Sequence, residues 1–239
     1  MTRMNLLSVL RLNFGAFVPA SMMIRIWCLI AAGMWAIIGI AWLMANCGIN
    51  LDVKESRLWV ASVAMLLIGG CWLSFTLEHL STFAASITWL ILITLLGVLS
   101  SSLFSMVGIS TVFGTTGAMF AISALLGYCF NVNPGTGRQM LIMAACGMLV
   151  AVIVNSLLVS STSVWITSLG SVVVWSFIAA HEKKALHGYA RRLYSSEFST
   201  LTHCTVLGAL TIAFSAVAFF FRLILLFLGL IFGLIKAWL

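Results

Sequence analysis

Acidic side chains are scarce in this sequence: 239 residues contain five Asp and Glu, against twelve Lys and Arg. Charged residues of both signs make up 7% of the chain, where a soluble domain carries about 25%. So few charges cannot cover a water-facing surface, which excludes a soluble globular domain. Proline occurs twice, and no low-complexity linker divides the chain, so one domain is expected. The six cysteines (Cys28, Cys47, Cys71, Cys129, Cys146, Cys204) have no paired spacing and fall mostly inside apolar runs. Neither a disulfide framework nor a structural zinc site follows from them.

Apolar residues dominate, at 63% with a mean hydropathy of +1.20. A bilayer core of roughly 30 Å takes about 20 helical residues, and seven runs meet that length. They lie near 26–46, 58–77, 84–106, 109–130, 139–160, 164–182 and 200–222. The expected fold is therefore an all-α membrane protein built as a bundle of seven transmembrane helices over 26–222. The clearest reversal is "NVNPGTGR" (131–138), where Pro134, Gly135 and Gly137 supply the backbone angles of a tight turn.

The two ends differ from the bundle. Residues 1–25 lack the long apolar core of a cleaved signal peptide and read as an interfacial segment with Arg3 and Arg11 among lipid head groups. Val206 to Ile235 is apolar apart from Arg222, and 30 helical residues would span about 45 Å. The apolar extension over 223–239 is thus read as a helix continuation, a re-entrant segment or an interfacial one. Arg222 either snorkels to the head groups or marks a chain break.

The net charge of +7 does not point to nucleic acid, because the basic residues flank the membrane spans, where topology and anionic lipids account for them. Arg3, Arg11, Arg25, Arg138, Lys183, Lys184, Arg191 and Arg192 fall on one side, eight in all. Lys54, Arg57 and Lys236 fall on the other. This imbalance places the N-terminus and the "HEKKALHGYARR" loop in the cytoplasm.

An ionisable group in a membrane helix is expensive and hence a functional candidate, except at helix ends, where side chains reach water. His181 and Glu182 close the apolar run of the sixth span in "FIAAHEKK". They read either as a proton-sensing gate, since histidine titrates near neutral pH, or as a solvated helix end. Glu78 and His79 pose the same alternative at the end of the second span. Asn155, in "VIVNSLLV", is read as lying deep in the fifth span, with an amide bonded to a neighbouring helix. Ser215 lies near the middle of the seventh span. Enzymatic chemistry finds no support: "HEKKALH" sets its histidines six apart rather than the four a zinc-protease helix needs, and Ser100-Ser101-Ser102 has no partnered base. No cofactor or metal is expected.

Three stretches carry a resemblance: "ITLLGVLSSSLFSMVGISTVFGTTGAMFAISALLGY" (93–128), "IVNSLL" (153–158) and "GALTIAFSAVAFFF" (208–221). In order and spacing they resemble helices 3 to 7 of the Bax inhibitor-1 (transmembrane Bax inhibitor motif) family, in a divergent bacterial inner-membrane branch, over roughly 75–225. The resemblance implies six helices around a central seventh. It also implies a calcium leak gated by pH through aspartates on helices 6 and 7. Those aspartates fall on His181, beside Glu182, and on Ser215; a basic residue following helix 2 falls near Glu78 and His79. The acidic pair is absent. Two functions are therefore expected: a weak pH-sensitive cation leak carrying calcium or protons, or a non-conducting protein that binds and modulates other membrane proteins under stress.

Overall fold

A computed structural model describes residues 19–47, 63–66, 69–70, 76, 79–101, 108–131, 133–134, 137–182, 185–190 and 200–238; for 220–228 and 230–238 only the backbone is described. Six long helices follow one another: α1 (Ala20–Asn46), α2 (Thr82–Ser101), α3 (Ile109–Cys129), α4 (Gly137–Leu157), α5 (Thr162–His181) and α6 (Leu201–Trp238). Among the described residues there are six candidate membrane spans, the last being Leu201–Phe219. The expected span at 58–77 lies mostly outside those residues; its described parts, 63–66, 69–70 and 76, are helical.

Helix is the form lipid demands, because a bilayer core offers no partner to an unpaired N–H or C=O. The helix limits are set by local chemistry. Pro19 precedes α1, where its fixed φ and missing donor do no harm, and its carbonyl accepts from the amides of Met22 and Met23. Gly108 precedes α3 at φ +57°, and a Cβ there would stand 2.8 Å from Val164 Cγ2. The α4–α5 turn closes as a Schellman motif, with the Ser160 amide on the Asn155 carbonyl and the Val159 amide on the Ser156 carbonyl. Its left-handed position is held by Val159 at φ +48°, where glycine is the usual residue.

Neighbour contacts fix how the helices run. Gly33 of α1 meets Trp89 of α2 and Gly97 of α2 meets Ile40 of α1, so these two are parallel. Gly117 and Gly127 of α3 meet Trp35 and Ile24 of α1, so α3 runs the opposite way. Gly147 of α4 lies against Val172 and Asn155 bonds Ser168, so α4 and α5 are antiparallel. One end of the bundle, here the near face, therefore gathers Ala20, Thr82, Cys129, Gly137 and His181. The far face gathers Asn46, Ser101, Ile109, Leu157 and Thr162.

The last helix passes obliquely among the others. Its start reaches the start of α2 through His203 and Thr82. Gly208 presses on Ile26 of α1, and Phe219 meets Phe177 of α5. Leu201–Phe219 is 56% buried, against 28–39% for the other five spans. The helix runs through position 222 without a break to Trp238, which amounts to about 57 Å of helix. Two alternatives for the tail, a chain break at Arg222 and a re-entrant segment, therefore do not match the backbone.

Exposed and buried surfaces are equally apolar. Trp27, Phe120 and Met22 are fully buried, while Trp42, Phe83 and Leu90 are exposed. Lipid tails solvate the outer residues as well as protein solvates the inner ones, so close approach rather than apolar burial holds the helices together. Gly97 is a critical point, because an added Cβ would lie 2.7 Å from both Cβ and Cγ2 of Ile40, atoms that cannot swing away. Gly97→Leu is expected to destabilise the bundle by about 1–3 kcal/mol. Gly39→Leu, at a glycine with nothing within 4 Å, should be near neutral. Thermal unfolding of both variants in detergent checks the contrast, and equal melting would refute it.

Candidate functional site

The residues expected to form a site fall in two separate places. At the near face, His181 ends α5 and its Nδ1 lies 3.1 Å from Glu182 Oε1. The imidazole is 73% exposed and the carboxylate 16%. A turn back, the Phe177 ring stacks on His181 at 6.4 Å and meets Phe219 at 6.5 Å. Ser215 is half-buried one turn before Phe219. The neighbourhoods of His181 and Ser215 are thus joined by two aromatic rings. His79 is exposed in the short turn before α2, and Glu78 lies outside the described residues. Arg222 lies on the backbone of α6, with its side chain outside the described set.

Asn155 belongs to the far end. It is expected deep within a span, but α4 ends at Leu157, so Asn155 occupies the last turn; the strained Val159 reversal stops the helix earlier than 160. It is nevertheless fully buried. Its Nδ2 donates to the Ala151 carbonyl at 2.8 Å and to Ser168 Oγ at 2.6 Å. The amide cannot be turned over, since Oδ1 would then face the Ala151 carbonyl oxygen. Ser168 is 13 residues before His181, about 20 Å along α5. The structure therefore does not bring Asn155 to His181 and Glu182.

Between these ends lie groups that hydropathy alone does not single out. Thr116 Oγ1 of α3 and Ser171 Oγ of α5 are 3.0 Å apart. Ser171 also donates toward the Ser168 carbonyl at 2.8 Å, and Thr116 toward the Val112 carbonyl at 2.8 Å. Together with Asn155 and Ser168 they form a polar seam joining α3, α4 and α5. Consecutive threonines in "FGTTGAM" at mid-span were the available signal. Interhelical bonds of this kind average about 0.6 kcal/mol, so the seam sets register more than it adds stability. At the near face, Thr82 Oγ1 meets His203 Nδ1 at 2.9 Å, and Tyr189 OH meets Thr211 Oγ1 at 2.9 Å. These tie α6 to α2 and to the helical stretch 185–190.

The middle of the bundle holds an aromatic cluster and a cavity. Trp27 and Phe120 are 5.1 Å apart, and Phe120 meets Trp175 edge-on at 6.0 Å. Beside them is a cavity of about 190 Å³ bordered by α1, α2, α3, α5 and α6, where Ser171 is the polar lining residue. No group of three His, Cys, Asp or Glu side chains suited to a metal occurs among the described residues. Glu182 is the one acidic residue among them.

Val159 pins the turn beside Asn155. A left-handed non-glycine residue costs about 1–2 kcal/mol, and the Val159 side chain is exposed, so removing it sacrifices little packing. Val159→Gly is expected to raise stability by about 1 kcal/mol, read as a higher unfolding midpoint. A lower midpoint would show that the backbone there is unstrained.

The sequence profile of the family described as "Inhibitor of apoptosis-promoting Bax1" matches residues 19–233. The chain is 33% identical over 195 residues to YbhM of Escherichia coli (strain K12), covering 82% of each protein. It is 25% identical over 197 residues to the inner membrane protein YbhL of the same strain, covering 79% of this chain and 82% of YbhL. No solved structure matches.

Proposed function

Because this chain belongs to the Bax inhibitor-1 family, we propose that it is a multi-pass bacterial inner-membrane protein acting as a weak, pH-sensitive cation leak. Calcium and protons are the cations proposed. In this reading α6 is the central helix of a seven-helix bundle. The observation that carries this reading is the half-sheltered Glu182 carboxylate under an exposed His181 at the end of α5. A carboxylate attracts a cation, and a protonated imidazole beside it cancels that attraction. Support comes from the placement of all four histidines. His79, His181, His187 and His203 lie at the near-face ends of α2, α5 and α6 or in the stretch 185–190, so the imidazoles gather on one face.

Calcium flux into liposomes should therefore differ between pH 8 and pH 5. His181→Ala should flatten that profile, and Glu182→Gln should lower flux at the alkaline end. Flux unchanged by both substitutions would remove these residues from the mechanism.

A second reading is a non-conducting protein that binds and modulates other membrane proteins. The largely apolar interior between the near-face pair and Asn155 favours it, since an ion crossing there would meet the rings of Trp27, Phe120 and Trp175 and hydroxyls already bonded to one another or to backbone carbonyls. Flux indistinguishable from that of empty liposomes at every pH would select this reading.

We place the near face in the cytoplasm, on the strength of eight basic residues against three. Alkaline phosphatase, which folds only outside the cytoplasm, should be active when fused after Cys47 and inactive when fused after Glu182. The reverse pattern would invert the orientation.

A further inference from the structure

We propose that the cavity among α1, α2, α3, α5 and α6 is a binding site for a small aromatic alcohol of the phenol class. Three observations converge on that ligand. The first is size. At about 190 Å³ the cavity exceeds the ~150 Å³ apolar cavity that stays dry and accepts benzene. A water molecule needs two to four polar partners, and the described lining is almost wholly apolar, with Ser171 its one hydroxyl.

The second is shape and surface. Trp89, Phe113 and Trp175 border the space from three different helices. Flat rings offer an aromatic guest offset or edge-on contact, which is more favourable than contact with an aliphatic guest of equal area. Small residues, Ala213 and Ala216 of α6 and Gly33 of α1, leave the volume open, and aliphatic side chains such as Ile37, Leu92 and Val112 fill out the wall.

The third is hydrogen-bond arithmetic. The hydroxyls of Ser171 and Thr116 together carry two protons. Those protons face three demands: the Ser168 carbonyl, the Val112 carbonyl and the 3.0 Å contact between the hydroxyl oxygens themselves. Both hydroxyl protons are committed, while lone pairs on Ser171 Oγ remain. The site therefore asks for a donor from its guest, which a phenol has and benzene lacks. A carboxylate or other anion would find no cation in the described lining, only the indole N–H groups of Trp89 and Trp175, and is disfavoured.

This site is independent of the leak, since none of His181, Glu182 and Asn155 borders the cavity. It touches α6 on its most enclosed stretch, so occupancy changes how firmly that helix is held.

The test uses the full chain in lipid nanodiscs, with 4-fluorophenol and fluorobenzene as probes observed by fluorine NMR against empty nanodiscs. Saturable binding of both is expected, with 4-fluorophenol favoured about fivefold, the worth of one net hydrogen bond. Ala216→Leu fills the space and should abolish saturable binding. Ala213→Val provides the same test with a smaller added volume should the first variant fail to fold. Ser171→Ala should retain fluorobenzene and erase the preference for the phenol. Signals that never saturate above the empty-nanodisc background, as when a lipid acyl chain already fills the space, overturn the proposal. So does binding untouched by the filling variants, or a preference that survives Ser171→Ala.

Discussion

The structure depends on one property of its solvent: lipid is as apolar as the protein interior. Burying Trp27 while leaving Trp42 exposed gains little from the hydrophobic effect, because both rings are already out of water. Association must then come from dispersion at close range and from a few interhelical hydrogen bonds. This is why glycines stand at the contact points. Gly33 admits the Trp89 ring, Gly117 admits Trp35, Gly147 admits Met119 and Gly208 admits Ile26, each at a distance that a Cβ would reduce below 3 Å. The helices sit where backbones can approach, and the side chains fill what is left.

The same solvent governs the polar atoms. A hydroxyl in a membrane helix can return to its own backbone, as Thr115 does to the Thr111 carbonyl and Thr94 to that of Leu90. A hydroxyl so satisfied makes no demand on its neighbours, so most serines and threonines here are neutral passengers. Thr116, Ser171, Ser168 and Asn155 are different because they bond across helices. The Asn155 Oδ1 atom remains unpartnered, a penalty accepted in exchange for two donor bonds from the same amide. A carboxamide carries more bonding capacity than its surroundings can match, whereas the hydroxyls around it can be matched completely.

What could be read from the sequence follows from this physics. Long apolar runs announce spans, and α1 through α5 lie where hydropathy puts them. Positions within a span were harder to place. Asn155 reads as deep because the run continues past it to Val159, but the chain reverses there through a left-handed valine that no propensity would nominate. The unbroken course of α6 through Arg222 was equally hidden, since a charge inside a greasy run is compatible with a break or with a helix. Facing was hardest of all. α2 through α5 have little amphipathic character, so nothing in the order of residues says that Thr116 meets Ser171. His181 and Glu182, by contrast, were legible as a helix end, because four ionisable residues in a row can only mark an exit from lipid.

The departure at Ser215 and the dry cavity belong together. In the resemblance described above, this position of the last helix carries an acid. Here Ala213, Ala216 and Val217, its immediate neighbours, border an apolar space, and Ser215 is half-buried among them. A carboxylate at that point would need water or a cationic partner to offset its lost hydration, a matter of several kcal/mol. Trp89, Trp175 and Phe113 could supply neither. An acid at 215 would lie next to an apolar wall that could not neutralise it, whereas a serine hydroxyl can bond a carbonyl of its own helix. Serine thus suits a stretch of α6 that borders an apolar space, and among the described residues the one carboxylate, Glu182, lies at the near face.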